Sequence, residues 1–274
     1  MYPEAHWRVV RTRPLVGAMN MAIDEAILNA VAEGRSRPTL RFFAWEPACL
    51  SLGYGQPWAE VDAERLAARG WTAVRRPTGG RAILHTDELT YSVIAPMDEP
   101  RVVGSIVDSY RQLSAGLTAG VQRLGLLARS EKNAKPGDGD REVLPVCFEV
   151  PSDYEITADG RKLIGSAQVR KRGVVLQHGT LPLTGDIARI VEALVFADEQ
   201  ARAQVRARVH QRAATLADVG LDVSWAQAAD ALQAGFADAL TLSLTPADLS
   251  PDEWAAAEQL CAEKYGAESF LQRV

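Results

Sequence analysis

In VLPVCFEVPSDYEITADGRKLIGSAQ, residues 143–168, a cysteine is followed fifteen positions later by a lysine. Those two residue types together can perform covalent chemistry. A thiol of ordinary pKa, ~8.5, is mostly protonated at neutral pH, and a neighbouring cation shifts it towards the nucleophilic thiolate. The intervening Asp159-Gly160 is a hairpin signal, and a hairpin can fold Lys162 back towards Cys147. Spacing alone fits a packed Cys147 as well, because free cysteine is among the most buried residue types. Lys162 taken alone also fits a solvated strand lysine. The chain has three cysteines, and the other two read as core. Cys49 precedes an apolar strand, and Cys261 shares a helical stripe with Trp254 and Ala257.

The densest second signal is RRPTGGRAILH, residues 75–85. Arg75 and Arg76 end a strand, a proline turn follows, and Gly79, Gly80 and Arg81 open the next strand. Glycines let a ligand lie against backbone N–H groups, and three arginines concentrate positive charge beside that backbone. An ordinary turn with solvated arginines fits the same residues. His85 at the strand end reads equally as a general base or as a backbone-bonding histidine. Arg170, Lys171 and Arg172 form a charge run at a second hairpin tip. It reads as a solvated turn or as a docking point for an acidic carrier domain.

These residues need a frame. At 274 residues, 47% hydrophobic and 24% charged, the chain can bury a large core. A net charge of -5 gives no sign of nucleic-acid binding. Three cysteines do not make a disulfide framework and fit a reducing compartment. No His/Cys/Asp/Glu spacing suggests zinc. The opening MYPEAHWRVVRTRPLVGA lacks the apolar run of a signal peptide, and no stretch approaches the ~18 apolar residues of a membrane span. The expected setting is cytoplasmic, with no membrane partner.

Periodicity predicts a helix over 17–34, with Met19, Ile23, Ala26, Ile27, Ala30 and Val31 on one stripe. Strands are predicted over 39–45, 49–54, 72–76, 81–85 and 89–95, with a helix over 59–69 among them. A long helix follows over 104–127, and then a Gly- and Asp-rich linker, 130–142. DYEIT, RKLIGSAQVR and GVVLQHGTLPL form a predicted β-meander, with Lys162 alternating with Ile164, Ser166 and Gln168 on one face. The last ninety or so residues are predicted helical, with Ser224/Gln227 and Ser250-Pro251/Glu253 as N-terminal capping pairs. The expected fold class is α+β, with central mixed or antiparallel sheets flanked by helices. One domain is expected over 1–274, with its core at about 15–185, a helical part at about 186–274 and no accessory C-terminal domain.

RRPTGGRAILHTDELTYSV resembles the arginine–glycine–histidine signature of the lipoate–protein ligase, octanoyltransferase and biotin-ligase superfamily. NMAIDEAIL and LGYGQ match its opening helix and a neighbouring strand end. GRKLIGSAQVRKRGVVLQHGTLPL is similar to its second signature, with Lys162 at the lysine position. The resemblance covers most of residues 15–185 in order. It implies the catalytic-domain fold of the lipoate and biotin ligases. It also implies substrate-binding roles for Arg75, Arg76, Gly79, Gly80, Arg81, His85, Gly165, Ser166 and His178. PVCFEVPS, 145–152, is similar to the octanoyltransferases that use a loop cysteine, which makes Cys147 a nucleophile and Lys162 its catalytic partner. Two departures from the ligases point the same way. Arg81 replaces a third glycine, and His85-Thr86-Asp87-Glu88-Leu89 replaces their His-Asp-x-Gly-Asn run.

The implied reaction is octanoyl transfer in protein lipoylation. The donor would be octanoyl-acyl carrier protein, and the acceptor a lysine of a lipoyl domain or glycine-cleavage H protein. No cofactor or metal is required, because the donor thioester is already activated. An ATP-dependent ligase and a non-catalytic acyl binder are the alternatives. Burying about seven alkyl carbons at ~0.8 kcal/mol each favours an octanoyl tail by about 5–6 kcal/mol.

Overall fold

The computed structural model describes residues 2–131 and 155–274. Cys147 lies outside the described residues, as do residues 132–142 of the expected linker. Two sheets form the frame. The larger runs in the order β11-β1-β2-β6-β10-β9-β8-β7, from β1 (Ala5–Arg11), β2 (Thr39–Phe43), β6 (Glu88–Pro96), β7 (Arg129–Glu131), β8 (Glu155–Ala158), β9 (Arg161–Lys171), β10 (Val174–Pro182) and β11 (Leu242–Pro246). The smaller is β4-β3-β5, from β3 (Cys49–Leu52), β4 (Thr72–Arg75) and β5 (Ile83–His85). Each sheet mixes parallel and antiparallel pairs. Helices α1 (Gly17–Ala32), α3 (Ile106–Arg123), α4 (Glu199–Arg212), α5 (Trp225–Leu240) and α6 (Pro251–Leu260) flank them, giving the expected α+β architecture. Among the described residues no helix is long and apolar enough to cross a membrane.

The β8-β9-β10 meander is present, and both of its turns use the left-handed conformation their residues permit. Asp159 and Gly160 have φ 51° and 71°, and Arg172 and Gly173 have φ 54° and 74°. The capping pairs also form, as reciprocal boxes at Ser224/Gln227 and Ser250/Glu253. The structure departs from the expected elements at several points. The C-terminal part is not wholly helical, because β11 pairs in parallel with β1, a strand that sequence reading also passed over. Val9 and Val10 are both buried, so β1 lacks the alternation that marks a half-buried strand. The 59–69 helix divides into a short 3-10 turn at Trp58–Glu60 and α2 (Ala63–Ala68), capped by Asp62. Ser130 and Glu131, at the head of the expected linker, belong to β7.

Helix α1 is buried on nearly every side. Met21, Ala22 and Leu28 join Ile23, Ala26, Ile27 and Val31 of the expected stripe in one core with Phe43, Ile94, Leu176, Ala257 and Tyr265. It therefore carries buried polar residues that must be paired. Glu25 accepts from Lys171 (2.7 Å), Lys264 and the Tyr265 hydroxyl (2.6 Å), joining α1 to the β9–β10 hairpin and the C-terminal segment. The charge run is likewise engaged. Arg170 donates to the carbonyls of Gly104 and Ser105 at the start of α3, and Arg172 to Asn29 and Glu33 of α1. Burial alone would raise the Glu25 pKa, but its three donors outweigh that and lower it from 4.5 to about 2. A depressed folded-state pKa contributes stability above the unfolded value and loses it as pH falls through the folded one. The stability gap between wild type and Glu25→Gln is therefore expected to shrink between pH 4.5 and 2, measured by denaturant unfolding.

Candidate active site

The β3–β4–β5 sheet lies against the large sheet, and a small cavity sits between them. Met21, Trp45, Ile83 and Ala167 supply apolar lining, and Ser51, Arg76, His85 and His178 supply polar groups. Of the residues expected to bind substrate, Arg76, His85, Gly165, Ser166 and His178 line this cavity.

Arg76 organises the RRPTGGR turn. Its guanidinium donates to the carbonyls of Ser51 (3.0 Å), Gly79 (2.8 Å) and Arg81 (2.8 Å) and to the hydroxyls of Ser51 (3.2 Å) and Thr78 (3.1 Å). Gly80 has φ +93°, a conformation that favours glycine. A Cβ on Gly53, in the LGYGQ loop, would stand 1.9 Å from the Gly80 carbonyl oxygen. The two loops thus approach backbone to backbone, and Gly53→Ala must separate them. We expect that variant to lose about 1–3 kcal/mol of stability in denaturant unfolding and most of its activity.

Arg75 serves a different purpose. Fully buried, it donates to the carbonyls of Gly53 (2.9 Å), Tyr54 (3.2 Å), Gln56 (2.7 Å), Phe270 (3.2 Å) and Leu271 (2.6 Å). It is a strut between the LGYGQ loop and the C-terminal segment. Arg81 faces Glu60 at 3.3 Å. Neither arginine, nor Gly79 or Gly80, lines the cavity.

Each of the two cavity histidines sits between a hydroxyl and a carboxylate. His85 Nε2 is 2.7 Å from Ser51 Oγ, its Nδ1 is 2.6 Å from Glu88, and its ring stacks on Trp45 at 4.0 Å. His178 Nε2 is 2.7 Å from Thr78 Oγ1, with Asp24 3.4 Å from Nδ1. Burial lowers the His178 pKa, outweighing the Asp24 charge, so that ring is neutral at pH 7. Burial alone would raise the Asp24 and Glu88 pKa values. Arg41 and His178 outweigh it at Asp24, and His85 with the Thr90 hydroxyl at Glu88, so both carboxylates stay ionised. Ser51, Thr78, Asp24 and Glu88 escaped the sequence reading. The one available signal was Glu88 three residues after His85, within reach across a tight connection.

Lys162 is buried at 4% exposure on β9, three residues before the cavity-lining Gly165. A register shift between β8 and β9 sends both Leu163 and Ile164 into one core cluster. The expected alternation of Lys162 with Ile164, Ser166 and Gln168 breaks there, as a bulge does when it re-aims a side chain. Gly179 is compelled to be glycine, since a Cβ would lie 2.5 Å from the Gly165 carbonyl oxygen and 2.6 Å from Ser166 Oγ. Cys49 is fully buried, and burial pushes its thiol up to about 12. Cys261 is half-buried with its pKa also raised by burial. Among the described residues no three His, Cys, Asp or Glu side chains gather as a metal-ligand group.

Two mixed sheets meet at this cavity, with Arg76 of the RRPTGGR turn in its lining. Residues 17–237 match the lipoyl protein ligase A/B catalytic domain, and the chain belongs to that family. Within it, the chain is 43% identical to Octanoyltransferase LipM of Kyrpidia tusciae, covering 97% of this chain and 98% of that one. It is 40% identical to Octanoyltransferase LipM of Brevibacillus brevis, covering 97% and 99%. A bi-partite lipoate protein ligase from Thermoplasma acidophilum has the same fold, with TM-score 0.82, 25% identity and coverage of 97% and 96%. A lipoate-protein ligase A solved with bound ATP gives TM-score 0.79 at 25% identity, covering 98% and 99%.

Proposed function

We propose that the protein transfers an octanoyl group from octanoyl-acyl carrier protein, through a thioester on Cys147, to a lysine of a lipoyl domain or glycine-cleavage H protein. The full-length similarity to octanoyltransferases carries this reading: octanoyl transfer in protein lipoylation is the activity of that branch. The cysteine chemistry supports the covalent step. Cys49, with its thiol at about 12, is a poor nucleophile, and Cys261 does not line the cavity. Cys147 remains, in the segment that resembles the cysteine-dependent transferases.

In the first step the Cys147 thiolate attacks the donor thioester carbonyl and expels the carrier thiol. In the second, the acceptor amine attacks the octanoyl-enzyme, forms an amide and restores Cys147. Both steps pass through an oxyanion. The Lys162 cation and the backbone N–H groups of the Gly79–Gly80 turn are the donors assigned to it. The apolar lining from Met21, Trp45, Ile83 and Ala167 suits the alkyl tail.

Because the donor thioester is already activated, octanoyl transfer to a lipoyl domain is expected to run at the same rate with and without Mg-ATP. A strict ATP requirement would select a ligase instead. Tight octanoyl binding without turnover would select a binding protein.

A further inference from the structure

Ser51, His85 and Glu88 have the geometry of a serine hydrolase triad. The distances are 2.7 Å from Ser51 Oγ to His85 Nε2 and 2.6 Å from His85 Nδ1 to Glu88. With Nδ1–H donating to Glu88, Nε2 of the neutral ring would face the serine hydroxyl as acceptor and base. Such a constellation is recognised by geometry and roles, whatever its order in the chain. Glu88 is itself fixed by the Thr90 hydroxyl at 2.6 Å, and Trp45 stacks on the imidazole, so the base cannot swing away. Arg76 Nη1, 3.2 Å from Ser51 Oγ, places positive charge beside the oxygen that must become an alkoxide.

The second hydroxyl–imidazole–carboxylate chain provides a comparison. In Thr78–His178–Asp24 the carboxylate stands at 3.4 Å from the ring and also accepts from Arg41 and Ser92, and Thr78 does not line the cavity. Ser51 and His85 both line it, beside the apolar Met21, Trp45 and Ile83. Of the two, only the Ser51 chain pairs a cavity-facing hydroxyl with a closely held base.

We propose that Ser51 is a second acyl-accepting nucleophile, giving the protein a slow hydrolase activity on medium-chain carboxylic esters that does not depend on Cys147. Ser51 Oγ bonds to the acyl carbon while its proton passes to His85 Nε2. The ester C–O bond then breaks, and the departing oxygen takes that proton. Water next attacks the Ser51 ester as its proton passes to His85 Nε2, the bond from the acyl carbon to Ser51 Oγ breaks as His85 returns that proton to Oγ, and the fatty acid leaves.

The test uses full-length protein carrying Cys147→Ala, so its outcome is separate from that of the transferase reading. With 4-nitrophenyl octanoate, this protein should release nitrophenolate above the buffer rate. Adding Ser51→Ala should return release to the buffer rate, and adding Glu88→Gln should lower it at least about tenfold. Because Ser51→Ala could disturb the strand, a fluorophosphonate is also applied to the Cys147→Ala protein with Ser51 intact. Peptide mass mapping should place the phosphonate on Ser51. Release that is unchanged by Ser51→Ala, or the absence of label on Ser51, would overturn the proposal.

Discussion

Cys147→Ala is expected to lower octanoyl transfer from acyl carrier protein to a lipoyl domain by roughly 10⁶-fold, the scale seen when a covalent nucleophile is removed. Cys147→Ser should be nearly as inactive, because a serine hydroxyl at that place has neither the acidity nor the nucleophilicity of a thiol. Neither described cysteine can substitute for it. The Cys49 thiol is fully buried at about 12, and an added Cβ on Gly17 would meet its sulfur at 2.4 Å, so it is packed against α1. Transfer that survives Cys147→Ala at the wild-type rate would remove the covalent step from the mechanism.

Lys162→Met should reduce acylation per folded enzyme molecule by about 10²–10³-fold, the effect of losing one oxyanion donor. Lys162 is buried on β9, and methionine keeps the length of its stem while removing the charge. Removing one partner of a buried charged contact is itself destabilising, by up to about 3–5 kcal/mol, so acylation is normalised to the folded fraction. A purely structural lysine would show a lowered melting temperature with acylation per folded molecule unchanged. Stopped-time acylation assays together with thermal unfolding distinguish the two.

Much of the frame was legible because its signals are local. Asp159-Gly160 and Arg172-Gly173 specify their turns through φ > 0, and Ser224/Gln227 and Ser250/Glu253 specify helix starts through reciprocal hydrogen bonds. What was hidden depends on distant partners. Strands β1 and β11 pair with each other in parallel, so neither has a hairpin to announce it, and the bulge after Lys162 exists only against β8. The site divides along the same line. The motif residues Arg76, His85, Gly165, Ser166 and His178 do converge on one cavity. The strut role of Arg75 depends on the carbonyls of Phe270 and Leu271, about two hundred residues away. Ser51 acquires its meaning from His85 on the adjacent strand β5, and Asp24 from Arg41 and His178. A single residue's neighbours in sequence carry none of that information.

The claim on which this account rests is that the octanoyl group is held as a thioester on Cys147. Incubating the protein with octanoyl-acyl carrier protein in the absence of ATP, followed by mass spectrometry of its peptides, tests it directly. One octanoyl adduct is expected on the peptide containing Cys147, released by neutral hydroxylamine and discharged on addition of a lipoyl domain. An unmodified Cys147 under conditions where the lipoyl domain becomes octanoylated would contradict it.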